Sequence, residues 1–502
     1  MSSYWLSSAK EKSNFNKIDK NYECDICIIG AGITGLTCGY YLSKLGFKVI
    51  IVEKDTIGQK ASGNTTGKIT YEHNLIYDYL IRSYGEKLAK AYLKANKEAI
   101  YNIKNIIDTE NIDCDFEYLS NYVYTTNQSE LTKIHAEIKA LKLLGEEPEF
   151  LTKIDLPFKI AGAIETKNQA QFNSVKYMNG LAKSIIKNNS LIFENSTASD
   201  FKKVGDNYIT YVNNYEIKCS NIIVATHYPF KKISGFYFAK MYQSTSYVIA
   251  VDTHSNLFDG MYINTSQPIF SFRTAKFKDK RLLIIAGCDH KTGFAPNTED
   301  TYNVLENISK KYFPNSEILY KWNTRDCISL DKIPYIGSYS STLPGAYVAT
   351  GFNKWGITSS NVAANIITDE ILGKENKYAF VFNSLRFKPL KNRTELKNMT
   401  KQVFKSFVTN KINVPNEELS KIKKDNGGII KIDGHDIGIY KDASGNIYAV
   451  KPTCTHLGCL LTWNNLDKTW DCPCHGSRFN FMGKNIYDPA FKNLDILEIN
   501  KK

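Results

Sequence analysis

Residues 24–53 commit the chain to a parallel α/β sheet. Cys24-Asp25-Ile26-Cys27-Ile28-Ile29 is an apolar run of strand length, and Gly30-Ala31-Gly32-Ile33-Thr34-Gly35 follows it directly. Apolar residues at helical spacing then run to Leu45, Gly46 supplies a stop, and Phe47 to Val52 is a second strand ending at Glu53. Strand, glycine turn, helix and strand in this order form a βαβ unit with parallel strands. Gly30 permits the tight turn, Gly32 lets a pyrophosphate approach the backbone, and Gly35 lets helix and strand pack closely. Ala31 and Thr34 share this loop, whose helix N-terminus faces the phosphates. Glu53, eighteen residues past Gly35 and followed by Lys54, is placed to accept from ribose hydroxyls. The pattern specifies a dinucleotide and leaves its identity open.

A second pattern lies near the C-terminus. Cys454-Thr455-His456-Leu457-Gly458-Cys459 is answered by Cys472-Pro473-Cys474-His475-Gly476-Ser477, across fifteen intervening residues after His456. Zinc accepts two sulfurs and two nitrogens, but zinc fingers usually group cysteines in one pair and histidines in another. Here each loop carries both types, which suits two irons with different ligand sets, as in a Rieske [2Fe–2S] centre. The segment resembles the disulfide-bearing Rieske domains of respiratory and photosynthetic electron-transfer proteins. The resemblance makes Cys454, His456, Cys472 and His475 the cluster ligands and Cys459–Cys474 a disulfide. It also gives Ser477 the place of a hydroxyl donor to a bridging sulfide. Phe479 stands where high-potential members carry a tyrosine, which implies a potential below the respiratory end of the roughly −150 to +300 mV range. Asp488-Pro489-Ala490 resembles the loop that covers the cluster.

From residue 22 to about 375 the sequence resembles the FAD-dependent amine and amino-acid oxidases that include glycine oxidase, sarcosine oxidase and D-amino-acid oxidase. Gly58 to Thr70 (GQKASGNTTGKIT) looks like that family's flavin and pyrophosphate loop, with Ser62, Thr65, Thr66 and Lys68 as polar contacts. Asn221 to Pro229 resembles the strand that returns beside the dinucleotide, ending at Ala225-Thr226. Asp331-x-x-Pro334-Tyr335-Ile336-Gly337 precedes a strand around Ala346 to Ala349 and then Gly351-Phe352-Asn353-Lys354-Trp355-Gly356-Ile357-Thr358. The resemblance sets a helix N-terminus at the flavin pyrimidine there, where it stabilises negative charge. It makes Gly351, Lys354, Gly356 and Ile357 flavin contacts and Trp355 either a flavin contact or a core aromatic. Lys354 and Trp355 also stand as catalytic candidates. Arg273 closes a strand-like run and is a candidate clamp for a substrate carboxylate, or else a structural ion pair. Cys327 is out of register with the cysteine that binds flavin covalently in some relatives, so FAD is expected to be non-covalent.

The expected architecture is an α/β Rossmann-like FAD-binding domain with an antiparallel-sheet (α+β) substrate domain, plus a small all-β Rieske domain. The flavoprotein part covers 1–385, with FAD-binding segments at about 22–70, 190–229 and 325–375. Strand-like runs at Ser246 to Asp252, Pro268 to Arg273 and Arg281 to Gly287 belong to the substrate domain. A basic linker covers 386–424, with an amphipathic helix over 391–410, and the Rieske domain covers 425–502. The 502 residues, 43% of them hydrophobic, suit two or three globular domains. Eleven cysteines show no disulfide framework beyond the two loops. Strand alternation turns Cys24 and Cys27 to opposite faces, as core residues. No secretory signal and no run of eighteen apolar residues is visible, so no membrane span and a cytoplasmic location are expected. The net charge of +13 is concentrated between Arg386 and Lys424, with eleven Lys/Arg against three Glu, and no nucleic-acid motif accompanies it.

These readings point to oxidation of a small amine or amino-acid-like molecule by hydride transfer to flavin. The cluster then delivers single electrons to an external acceptor, a protein or a quinone. The competing reading is a relay reduced by a partner protein. A Rieske oxygenase fits poorly, because His73, His135, His227, His254, His290 and His435 offer no close pair for a second iron.

Overall fold

The computed structural model describes residues 2–9, 14–230, 235–294, 299–386, 411–414 and 416–501. The chain divides into two compact units. One comprises Met1–His227, Ser246–Asp289 and Tyr302–Arg386; the other comprises Tyr228–Thr245, His290–Thr301 and Phe387–Lys502.

The first unit is built around the βαβ element. Strand Tyr22–Ile29 pairs in parallel with Val49–Val52 on one side and Tyr215–Val224 on the other. Leu191–Phe193 extends the sheet beyond Val49–Val52, and Ala346–Thr350 extends it beyond Tyr215–Val224, both in parallel. Antiparallel Tyr335–Ser338 closes that edge. Ile26, Cys27 and Ile28 are fully buried, as expected for a strand covered on both faces. The crossover helix Ile33–Lys44 is buried on nearly every side and packs against helices Ser174–Lys187 and Gly356–Ile371. Gly46 stops it at φ +89°, and the Phe47 N–H returns to the Leu42 carbonyl.

One expectation fails here. The Lys48 carbonyl accepts from both Asp25 and Ile26 N–H groups, a bulge that breaks the strict alternation. Cys24 and Cys27 therefore do not point apart; both thiols bond Cys219 on the neighbouring strand. All three are buried core residues.

The second sheet runs in the order Glu317–Ser329, Met241–Asp252, Lys280–Lys291, Phe270–Phe277, Met261–Asn264, Glu117–Thr125, Gly162–Gln171 and Lys68–Ile69. From Lys280–Lys291 to Lys68–Ile69 its neighbours pair antiparallel, as expected, except where Met261–Asn264 runs parallel to Glu117–Thr125. Lys68–Ile69 ties the loop after the second βαβ strand into this sheet through Gln171 and Ala170. Arg386 closes the Asp331–Gly337 segment, with a bidentate bond to Asp331 and its guanidinium stacked over the Tyr335 ring at 4.0 Å.

The second unit carries short antiparallel strands. Asn426–Ile432, His435–Lys441 and Ile447–Val450 form one sheet, with the expected turn between the last two closed by Asp442 and Asn446. Thr462–Asn464, Thr469–Asp471, Arg478–Asn480 and Asn485–Tyr487 form another. Trp470, Leu461, Phe479 and the Cys459–Cys474 disulfide fill one core; Val414, Ile437, Ile439 and Leu497 belong to a second. The basic helix expected over 391–410 lies outside the described residues.

Candidate functional site

The glycine turn has the tolerances that a dinucleotide requires. Gly30 adopts φ +106°, and a Cβ there would lie 2.7 Å from the Ala225 carbonyl oxygen, at the end of the returning strand beside Thr226. A Cβ on Gly35 would meet the Gly30 carbonyl oxygen at 1.9 Å. Glu53 is reached by the turn: the Ala31 N–H donates to one carboxylate oxygen at 2.9 Å and the Asp55 N–H to the other at 3.0 Å. Burial raises its pKa, and these two bonds oppose the rise. Ser62 sits at the start of the helix, its hydroxyl accepting from the Ile33 N–H at 3.0 Å, and Thr34 inside the helix bonds Ser360 at 2.7 Å. Lys54 follows Glu53 beyond the strand.

Loop 58–70 is braced from two directions. Arg273 is buried, donating to the carbonyls of Thr66 at 2.6 Å and Thr274 at 3.0 Å. The short N-terminal helix Tyr4–Ser8 lays Trp5 over that guanidinium at 5.0 Å, and the indole N–H donates to the Thr65 carbonyl at 2.6 Å. Arg273 thus donates to main-chain carbonyls, an arrangement that suits bracing of the loop. Lys68, also buried, donates to the Tyr262 carbonyl and the Ser271 hydroxyl. Burial and the neighbouring Arg273 charge pull it down to about 7.

The second glycine turn gathers a different set. Gly351, Asn353 and Lys354 all take positive φ (+71°, +53° and +75°), and helix Gly356–Ile371 starts directly after Trp355, with Ile357 buried in its first turn. Asn353 accepts from the Ser329 N–H at 2.9 Å, fixing the turn to the neighbouring strand. Trp355 stacks on His73 with centroids 4.9 Å apart and 12° between the planes. His73 is bonded through its two nitrogens to the Tyr92 hydroxyl (2.7 Å) and the Thr70 carbonyl (2.9 Å), and burial drives its pKa to about 3, so the ring is neutral. Nothing local in the sequence singles out His73, whose partners Tyr92 and Trp355 are distant along the chain. Lys354 pairs with Asp289 at 2.9 Å and donates to Ser246 at 3.1 Å. Asp326, which feels both charges, is raised by burial to about 6. Asp289, Asp326 and Ser246 join the site only through folding. The Cys327 thiol donates to the His227 carbonyl at 3.4 Å.

The iron-ligand loops repeat one turn. Gly458 N–H returns to the Cys454 carbonyl and Gly476 N–H to the Cys472 carbonyl, both at 2.9 Å, and the two glycines share φ near +80°. Cys454 N–H donates to the Cys459 carbonyl and Cys472 N–H to the Ser477 carbonyl, both at 2.8 Å. By this repeat Cys459 is equivalent to Ser477, while Cys474 is equivalent to His456. Cys459 and Cys474 form a disulfide. Cys472 lies in a tight sulfur group with these two, but an oxidised pair is no ligand, which leaves Cys454 as its thiolate partner. The Cys472 thiol donates to Cys454, which lowers Cys454 and raises Cys472. The His456 and His475 rings meet edge to face with centroids 5.0 Å apart. Among the described residues the buried Nδ1 of His475 finds no hydrogen-bond donor or acceptor, and burial pushes that ring down to about 4, the neutral form that metals bind. Sulfurs together, nitrogens together and an orphaned imidazole nitrogen fit a [2Fe–2S] cluster held by Cys454, His456, Cys472 and His475.

The surroundings reinforce that fit. Ser477 lies against Cys454 and accepts from the Ala490 N–H at 3.0 Å, so the Asp488–Ala490 segment closes on the ligand loops. Phe479 is fully buried. A network that the motif does not reveal, with Arg478 bonded to Asp467 and Asp471 at 2.6 Å each, stiffens the second loop. Bound FAD supplies a two-electron acceptor and a bound cluster a one-electron carrier.

Comparison with known proteins agrees with both halves. The FAD dependent oxidoreductase (DAO) family matches residues 25–370, and the Rieske [2Fe-2S] domain matches residues 413–498. Over 496 residues the chain is 36% identical to the Rieske 2Fe-2S iron-sulfur protein YhfW of Bacillus subtilis (strain 168), spanning 99% of this chain and 97% of YhfW. Gamma-glutamylputrescine oxidoreductase of Escherichia coli (strain K12) is 22% identical over 75% of this chain and 90% of its own length. The solved structure of glycine oxidase from Bacillus cereus shares the fold, with TM-score 0.60 and 19% identity over 73% of this chain and 99% of that one. Among the described residues no helix is long and apolar enough to cross a membrane. The chain belongs to the DAO family of FAD-dependent oxidoreductases, carries a C-terminal Rieske domain, and binds FAD and a [2Fe–2S] cluster.

Proposed function

We propose that this oxidoreductase removes a hydride from the carbon next to the nitrogen of a small amine or amino-acid-like molecule. FAD, held without a covalent bond, receives the hydride, and the electrons leave singly through the cluster to an external acceptor, a protein or a quinone. The observation that carries the donor class is the group Asp289, Asp326, Ser246 and Lys354 at the second glycine turn. Two carboxyl groups against one lysine suit a substrate that arrives as an ammonium ion. Asp326, raised to about 6 and therefore mainly a carboxylate at neutral pH, suits acceptance of the proton that an amine must lose before hydride transfer. The relation to gamma-glutamylputrescine oxidoreductase supports the same donor class.

Anaerobic mixing with a panel of amines and amino acids tests this reading. Bleaching of the flavin band, accompanied by the EPR signal of the reduced cluster, is the expected result. If no member of the panel bleaches the flavin while a reduced electron-transfer protein does, the chain is a relay.

A further inference from the structure

Both ligand imidazoles are covered from within their own unit. Tyr228 lies edge-on to His456 with centroids 6.5 Å apart, and Phe238 edge-on to His475 at 6.1 Å. His456 is left 6% exposed and His475 4%. The cover comes from residues 228–230, 235–245 and 290–294, which cluster with the iron loops although the sequence separates them by more than 150 residues.

The contact is tight at the backbone level. A Cβ on Gly293 would lie 2.5 Å from Pro473 Cα, in the loop between Cys472 and Cys474. A Cβ on Gly476 would lie 2.6 Å from Gln243 Cβ. One glycine on each side thus permits the approach, and both take φ near +80°. Polar bonds fix the alignment: Gln243 Nε2 donates to the Asp488 carbonyl at 3.0 Å, and the Thr462 hydroxyl donates to the Gly293 carbonyl at 3.0 Å. Phe230 packs on Phe491 at 5.5 Å beside them. Complementary glycines, two cross-bonds and three aromatic contacts describe a built surface.

We infer that these stretches form a permanent cap over the imidazole edge of the cluster, so no outside acceptor reaches the iron through His456 or His475. A quinone, whose carbonyl would need an exposed imidazole N–H, is thereby excluded from that edge. Tyr228 and Phe238 are the positioning residues that decide access. The inference rests on the cluster assigned above and bears on the proposed electron output, narrowing its external acceptor to one that works from another face.

The test uses the full-length protein with both cofactors and the cluster reduced chemically, so it does not depend on any substrate. Power saturation of the cluster EPR signal is measured with a water-soluble gadolinium chelate, and its line shape with a soluble quinone analogue. The wild type is expected to show little relaxation enhancement and no quinone shift. Tyr228→Ala with Phe238→Ala, and separately Gly293→Leu, are expected to raise the enhancement several-fold, while Tyr228→Phe with Phe238→Leu keeps the wild-type value. A wild-type signal that already relaxes as readily as the alanine pair, or that shifts with the quinone analogue, overturns the cap.

Discussion

Replacing Arg273 by methionine separates a brace from a substrate clamp. The side chain donates to the Thr66 and Thr274 carbonyls at 2.6 and 3.0 Å. Two opposed terms govern folding. Losing hydrogen bonds from a charged donor costs ~1.5–3 kcal/mol each. Against this, burial holds Arg273 down to about 9, and each pKa unit of such destabilisation is ~1.4 kcal/mol, recovered when the charge is removed. The terms nearly cancel, so folding stability should move by no more than ~2 kcal/mol. Cofactor affinity has no such compensation. Thr66 and Gly67 lose their anchor, and ordering two backbone residues on binding costs roughly 3 kcal/mol. That is about a hundredfold rise in the Kd for FAD. Calorimetric titration of the apoprotein with FAD, alongside urea unfolding, reads both quantities. A variant that binds FAD as tightly as wild type but loses affinity for carboxylate-bearing substrates refutes the brace.

Other outcomes follow from the same geometry. Phe479→Tyr supplies a hydroxyl in a fully buried position beside the cluster; a neutral hydrogen bond of ~1 kcal/mol should raise the potential by roughly 40 mV, read by EPR redox titration. Asp326, raised to about 6, should give a reductive rate that climbs with pH through about 6 as the carboxylate forms; Asp326→Asn removes that limb, and an unchanged profile sinks the assignment. Glu72 is fully buried with neither carboxylate oxygen hydrogen-bonded among the described residues, and burial, then the Glu137 charge, lifts its pKa well above the usual range. Its folded value exceeds its unfolded one, so its contribution is full in acid and is lost as pH rises through the folded value. Glu72→Gln should leave acid stability alone and add about 1–3 kcal/mol at alkaline pH in denaturant titrations. Cys459→Ser removes a disulfide of sequence separation 15, worth ~3 kcal/mol; the melting temperature and cluster retention should fall together.

What the sequence revealed was local. The fingerprint from Cys24 to Glu53 and the two Cys/His loops encode their chemistry within a few residues, because turn glycines and metal ligands must be adjacent to work. The residues that give each cofactor site its rigidity are not adjacent. Trp5 meets Thr65, Arg273 meets Thr66, and Trp355 meets His73 only after two sheets have formed. A lone arginine at a strand end carries no mark that separates a clamp from a brace; only its acceptors do. Strand periodicity failed at Cys24 and Cys27 for a related reason, since a bulge depends on the partner strand's Lys48 and not on the alternation itself.

The second unit is assembled from three separated stretches, which gives its synthesis an order. Tyr228–Thr245 and His290–Thr301 leave the ribosome long before Cys454 is made, and chains fold from the N-terminal side as they emerge. The Cys472–Ser477 turn is thus made after the stretches it packs on, and its Pro473 lies against Gly293. A subclone beginning at residue 411 would contain every iron ligand and lack the surface they settle on.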